Sequence, residues 1–217
     1  MRAYSAVTAL ATVACVLAAA WSNAMASPCD VYPLAINVSV QSPPLAIRMD
    51  FATAELKTMA QRVAGPPRHE ALGFYKDSVS YRFMVRIRAG GVRSCPALSV
   101  DAQLVVVDRV SEIGRDLQSD PCLLRAAVGH YKRHAAASAA ALSNVAATLP
   151  EALRTEVILE VSARSGNNDE IKGYVEGRVK AVLDNALVSL SRHAAILQDR
   201  VDTPLEVKAF DRSCDMF

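Results

Sequence analysis

Residues 120–149 read DPCLLRAAVGHYKRHAAASAAALSNVAATL. This stretch opens like a helix. Asp120 can accept hydrogen bonds from the free amides of a first helical turn, and Pro121 suits the first helical position because its missing N–H has no partner there anyway. Leu124, Val128, Tyr131, Ala135, Leu142 and Val145 then recur at three- and four-residue steps and form one apolar stripe. The helix is expected to run to about Leu149, where Pro150 should interrupt it. Arg125, Lys132 and Arg133 occupy one flank. The other flank carries His130 and His134, roughly 100° from the stripe and therefore at an edge of the buried surface. The alanine-rich run Ala135–Ala147 permits close helix packing or forms a surface for a protein partner.

Histidines four apart on a helix project from one face, so two imidazoles can reach one metal ion, as in the H-E-x-x-H zinc motif. The sequence here is His130-Tyr131-Lys132-Arg133-His134. In the hydrolytic motif a glutamate follows the first histidine and takes a proton from zinc-bound water. Tyr131 holds that place, and a phenol with an ordinary pKa of about 10 is a poor base at neutral pH. A zinc site also needs a third protein ligand. His193 is the candidate by residue type, although it falls on an apolar stripe between Leu190 and Leu197. Glu170 and Glu176 are alternatives on the same segment. His69 sits in the loop Gly65-Pro66-Pro67-Arg68-His69 and reads as a surface residue. Glu70 or Glu112 would have to supply acid/base chemistry if the site were hydrolytic.

Working outward, residues 1–26 read as a secretory signal peptide: Arg2 is the basic n-region, Ala6–Ala20 is an uncharged apolar run, and Ala24-Met25-Ala26 is a small-residue cleavage site. Cleavage after Ala26 leaves 191 residues with 23 basic and 22 acidic side chains. That near-neutral balance argues against a dedicated nucleic-acid binder. No later segment is long and apolar enough for a transmembrane helix. The chain is 52% hydrophobic and 21% charged, enough to build a core. Residues 27–217 are expected to form a single secreted or periplasmic domain. Cys29, Cys95, Cys122 and Cys214 remain after cleavage, an even number suited to two disulfides in an oxidising compartment. Three connectivities are open; Cys95–Cys122 with Cys29–Cys214 is the favoured one.

Strands are expected at Val31–Val40, Ala46–Asp50, Val79–Arg88 and Ala102–Val110, with a helix over Ala52–Val63. Arg82, Arg86 and Arg88 share one face of their strand. Helices follow at Glu151–Ala163 and from the Asn167 cap to about Gln198. The resulting class is α+β: a small, mainly antiparallel sheet in the N-terminal half packed against long C-terminal helices.

The stretch Leu104–Leu142 resembles a family of secreted bacterial zincin-like proteins of largely unknown function. In that family a strand leads through an Ile-Ala-x-Glu-Leu-like segment and Ser-Cys into a helix bearing H-E-x-x-H. The matching pieces are Ile113-Gly114-Arg115-Asp116-Leu117, Asp120-Pro121-Cys122 and His130–His134; Val201-Asp202-Thr203-Pro204 and Cys214 are similar to the family's tail. The resemblance implies a zincin-like fold with His130 and His134 as zinc ligands. Tyr131 departs from the catalytic glutamate. The expected function is therefore a degenerate H-x-x-x-H protein with a binding or structural role. The alternatives are a zinc-dependent, peptidase-like hydrolase with rearranged acid/base chemistry, and a structural protein that binds no metal.

Overall fold

The computed structural model describes residues 34–64, 72–88, 97–162, 167–203 and 214. Strand β4 (Ala97–Ile113) is the axis of the sheet. Its side chains alternate: Leu98, Val100, Ala102, Leu104 and Val106 are buried, while Ser99, Asp101 and Gln103 face the other way. β3 (Gly73–Arg88) runs antiparallel along one edge of β4 for its whole length. β1 (Leu34–Gln41) and β2 (Ala46–Arg48) lie parallel to β4 on the other edge.

β1 and β2 keep one register: Gln41 pairs with Val105 and Ala46 with Val110, five residues later on both strands. They are one strand interrupted at Pro43-Pro44, which have no N–H to give to a ladder. Between Ser78 and Val79 the β3–β4 register shifts, so Val107 has no partner on β3. The ladder is thus broken on both edges of β4 at the same level.

The sheet is mixed, and two of its three pairings are parallel, which corrects the expectation of a mainly antiparallel sheet. Alternating burial fixes which face of a strand is inside but carries no information about strand direction. Direction here follows from the connection: β2 leads through α1 (Thr53–Ala64) to β3, so that β1 and β2 end on the far edge of β4. The strands and α1 lie where they are expected, although β2 is shorter and β3 and β4 are longer; Val31–Pro33 of the first expected strand lie outside the described residues.

Two long helices, α2 (Pro121–Ser162) and α3 (Asn168–Val201), pack on each other and cover the inner face of the sheet, α2 above β1 and α3 above β3. Both caps read from sequence form. Asp120 Oδ1 accepts from the amides of Cys122 and Leu123, each at 3.0 Å, and the Asn167 side chain accepts from Asp169 and Glu170. The expected break at Pro150 does not occur; the proline lies inside α2. It removes one hydrogen bond, but Leu149, Leu153 and Val157 are buried on both sides of it, and this packing against the sheet and α3 carries the helix through.

The main core lies between sheet and helices. A second, smaller cluster sits at the end of β4 and gathers Ile113, Leu117, Ala127 and Tyr131. A 3₁₀ turn, Arg115–Ser119, links this end of β4 to α2 and is tied to α1, because Asp116 Oδ1 accepts from both the amide and the hydroxyl of Thr53 at 2.8 Å. Those bonds hold the Asp116 carboxyl below its ordinary pKa. Gly73 makes the close approach possible. A Cβ there would meet the Glu112 carbonyl oxygen at 2.2 Å and the Tyr131 ring at 2.9 Å. Gly73→Ala is therefore expected to destabilise the fold by about 3 kcal/mol, since neither backbone nor buried ring can yield. A denaturant melt checks this; a loss under about 1 kcal/mol would show that β3 shifts freely.

Candidate metal centre

α2 and the end of α3 build the site. His130 and His134 are one turn apart on α2, and their Nε2 atoms lie 3.0 Å from each other. Asp202, the residue that closes α3, brings Oδ1 to 3.1 Å from His134 Nε2 and 3.3 Å from His130 Nε2. His130, His134 and Asp202 thus form a group that can hold a metal ion. Asp202 ends up here because α3 runs antiparallel to α2 and stops beside its first turns.

The hydrogen bonds around His134 decide what its ring can do. Gln198, one turn before Asp202, donates from Nε2 to the His134 carbonyl oxygen at 3.1 Å and to Ser138 Oγ at 2.9 Å. That orientation leaves Gln198 Oε1 facing His134 Nδ1, which donates to it. In the neutral ring Nε2 then carries a lone pair. This lone pair is aimed at a carboxylate oxygen and a second imidazole nitrogen, each about 3 Å away. With His130 Nε2 also bare, three acceptors converge on one point and repel unless a metal cation lies among them; a proton on either Nε2 instead donates to Asp202.

His134 is 7% exposed, and it lies in the buried face of α2 rather than at its edge; His130 is half-buried. The rings are packed by aromatic neighbours: Tyr75 and Tyr131 stack near His134 at 6.3 and 5.9 Å between centroids. At Asp202, burial pushes the carboxyl pKa up. Hydrogen bonds from His130 and His134, and their charges, push it down, and the net effect holds it well below the usual carboxylate range.

His193 is not part of this group. It is half-buried further back on α3, with Nε2 3.4 Å from Asn144 Nδ2. Asn144 is ten residues beyond His134 on α2, about 15 Å along the helix axis. Asp202 holds the place that residue type alone assigned to His193. Its signal in the sequence was weak: a lone acid at a helix end, 68 residues from its partner histidine. Glu170 and Glu176 lie near the opposite end of α3, and Glu176 pairs with Lys172. His69 and Glu70 lie outside the described residues.

Tyr131 points into the smaller core and is 6% exposed. Burial, reinforced by the charge of Asp202, raises its pKa still further above the phenol range, so it is no base. Glu112 pairs in register with Arg48 on β2 and is buried; burial, then the nearby Asp50, pushes its pKa up. It lies outside the metal-holding group. Arg82 and Arg86 are engaged on the outer sheet face, with Gln103 and Asp101. Among the described residues no helix is long and apolar enough to cross a membrane.

A disulfide joins Cys122, in the first turn of α2, to Cys214, with 5.7 Å between Cα atoms. This corrects the favoured pairing of Cys122 with Cys95 and of Cys214 with Cys29. α3 runs back toward the start of α2, and Cys214 lies against Cys122 there. Cys29 and Cys95 lie outside the described residues.

Comparison with protein families, curated proteins and solved structures finds no significant match, so the zincin-like resemblance rests on the residues quoted for it.

Proposed function

We propose that this is a secreted or periplasmic zinc-binding protein, with His130, His134 and Asp202 as ligands, in which a zincin-like H-x-x-x-H site serves binding or structure rather than hydrolysis. The observation that carries the reading is the triangle of donor atoms with sides of 3.0, 3.1 and 3.3 Å. Ligand atoms 2.0–2.1 Å from a tetrahedral zinc lie about 3.3 Å apart. Two neutral imidazoles and one carboxylate are a borderline donor set suited to zinc, and such a set leaves a net charge of +1 at the ion. Gln198 fixes the His134 ring and its tautomer, as the outer partners of zinc-bound histidines do.

The non-hydrolytic part rests on Tyr131. A base must reach metal-bound water, and this side chain is a buried, protonated phenol. The signal-like residues 1–26 and the paired cysteines support export.

The test uses the chain without its leader or a histidine tag. Metal analysis is expected to find one zinc per chain in the wild type and none in His130→Ala/His134→Ala; equal zinc in both would refute the site. A panel of peptides and esters is expected to show no chelator-sensitive turnover by the zinc-loaded wild type. Such turnover would replace the binding role with the hydrolase alternative.

A further inference from the structure

One groove in the molecule is distinct from the three ligands. It opens between the sheet and the two long helices, at the level where both edges of β4 are broken, and has a volume of about 480 Å³. Its walls are mainly apolar, with Val106, Leu142, Leu190 and Ala194 among them. Two opposite charges, Arg109 and Asp77, also line it.

Arg109 and Asp77 sit directly across from each other on β4 and β3. Side chains in such a position share one face and ordinarily pair when their charges are opposite. Among the described residues no ion pair joins these two. Arg109 donates from one terminal nitrogen to Ser42 Oγ at 3.0 Å and from the other to the Ala135 carbonyl at 2.6 Å, while its Nε is buried with no partner. Asp77 accepts from the Tyr75 hydroxyl at 2.8 Å. Each charge is therefore held by neutral groups, and the groove floor presents a cation and an anion side by side.

We propose that this groove binds a small zwitterion with an apolar side chain, of the chemical class of the apolar α-amino acids. The guanidinium takes the carboxylate, the geometry for which Arg is best suited. Asp77 takes the ammonium. The valine, leucine and alanine walls take the side chain, as in other small-molecule pockets, which are apolar with a few placed polar groups. A simple fatty acid fits less well, because its carboxylate meets Asp77 with nothing to offset the repulsion. The site stands apart from the metal reading, although Ser138, which lines the groove, also accepts from the Gln198 amide that holds His134.

The experiment is calorimetric titration of the exported chain, with and without EDTA, using L-leucine and L-phenylalanine. N-acetyl-L-leucine, which lacks the ammonium, and L-leucinamide, which lacks the carboxylate, are the comparators. One amino acid per chain is expected to bind, and each comparator to bind at least about tenfold more weakly. Arg109→Gln and Asp77→Asn should each weaken leucine to the same degree. Ala139→Phe, on the exposed rim of the groove, should abolish binding with the melting temperature unchanged, which guards against a misfolded Arg109 variant. No binding of either amino acid at millimolar concentration overturns the proposal. So do comparators that bind as well as leucine. Binding that vanishes both in EDTA and in His130→Ala/His134→Ala also overturns it, because the amino acid would then be chelating the metal.

Discussion

Asp202→Ala is expected to lower zinc affinity about a hundredfold, while His193→Ala leaves it unchanged. Structural zinc sites with four ligands bind with apparent free energies of about 10–16 kcal/mol, or roughly 3 kcal/mol per ligand, which is two decades of affinity. The double histidine variant removes two such ligands, whereas Asp202→Ala removes one and isolates the contribution of α3. Asp202 is also the only anionic member of the group, so its loss would raise the charge left at a bound ion as well as vacating a position. His193 provides the internal control: it is a histidine on the same helix, bonded to Asn144 instead. Competition against a zinc-chelating dye reads both variants directly. A hundredfold loss in His193→Ala with none in Asp202→Ala would mean that α3 meets α2 in a different register, and the site would have to be redrawn.

The second large effect concerns the covalent closure of that same site. Cys122→Ser/Cys214→Ser is expected to destabilise the domain by about 4 kcal/mol, since the bond closes a loop with a sequence separation of 92 and the entropy removed from the unfolded chain grows with loop length. For a domain of this size each kcal/mol moves the melting temperature by about 2–4 °C, so a drop on the order of 10 °C should be seen in a thermal melt. The double variant avoids the stray thiol that a single substitution would leave. Zinc affinity should fall as well, because His130, His134 and Asp202 all lie inside the closed loop, and Cys214 anchors the chain at Cys122, about two turns from His130. An unchanged melting temperature would show that the α2–α3 packing alone holds the two ends together.

What was legible in the sequence is local. The start of α2 could be read at Asp120-Pro121 because a cap is made by residues two and three apart, and the structure has those bonds. The same holds for Asn167. Arg82, Arg86 and Arg88 could be read as one face of β3, and are exposed, because side chains of a strand point alternately to its two sides. His130 and His134 could be read as a pair because a helical turn sets their spacing, whatever the rest of the chain does.

Everything that failed or stayed open depends on distant residues. Strand direction was decided by where α1 delivers the chain, and Pro150 stays inside a helix because its neighbours are buried against another element. Cys122 found Cys214, and the histidine pair found Asp202, because α3 runs back along α2 and ends beside its first turns. The sequence by itself determined which residues could form each helix, strand and cap, since those bonds close within a few residues. Only the tertiary structure decided the third member of the metal group, the disulfide and the opposed charges of Arg109 and Asp77, since side chains tens of residues apart meet only when packing brings their elements together.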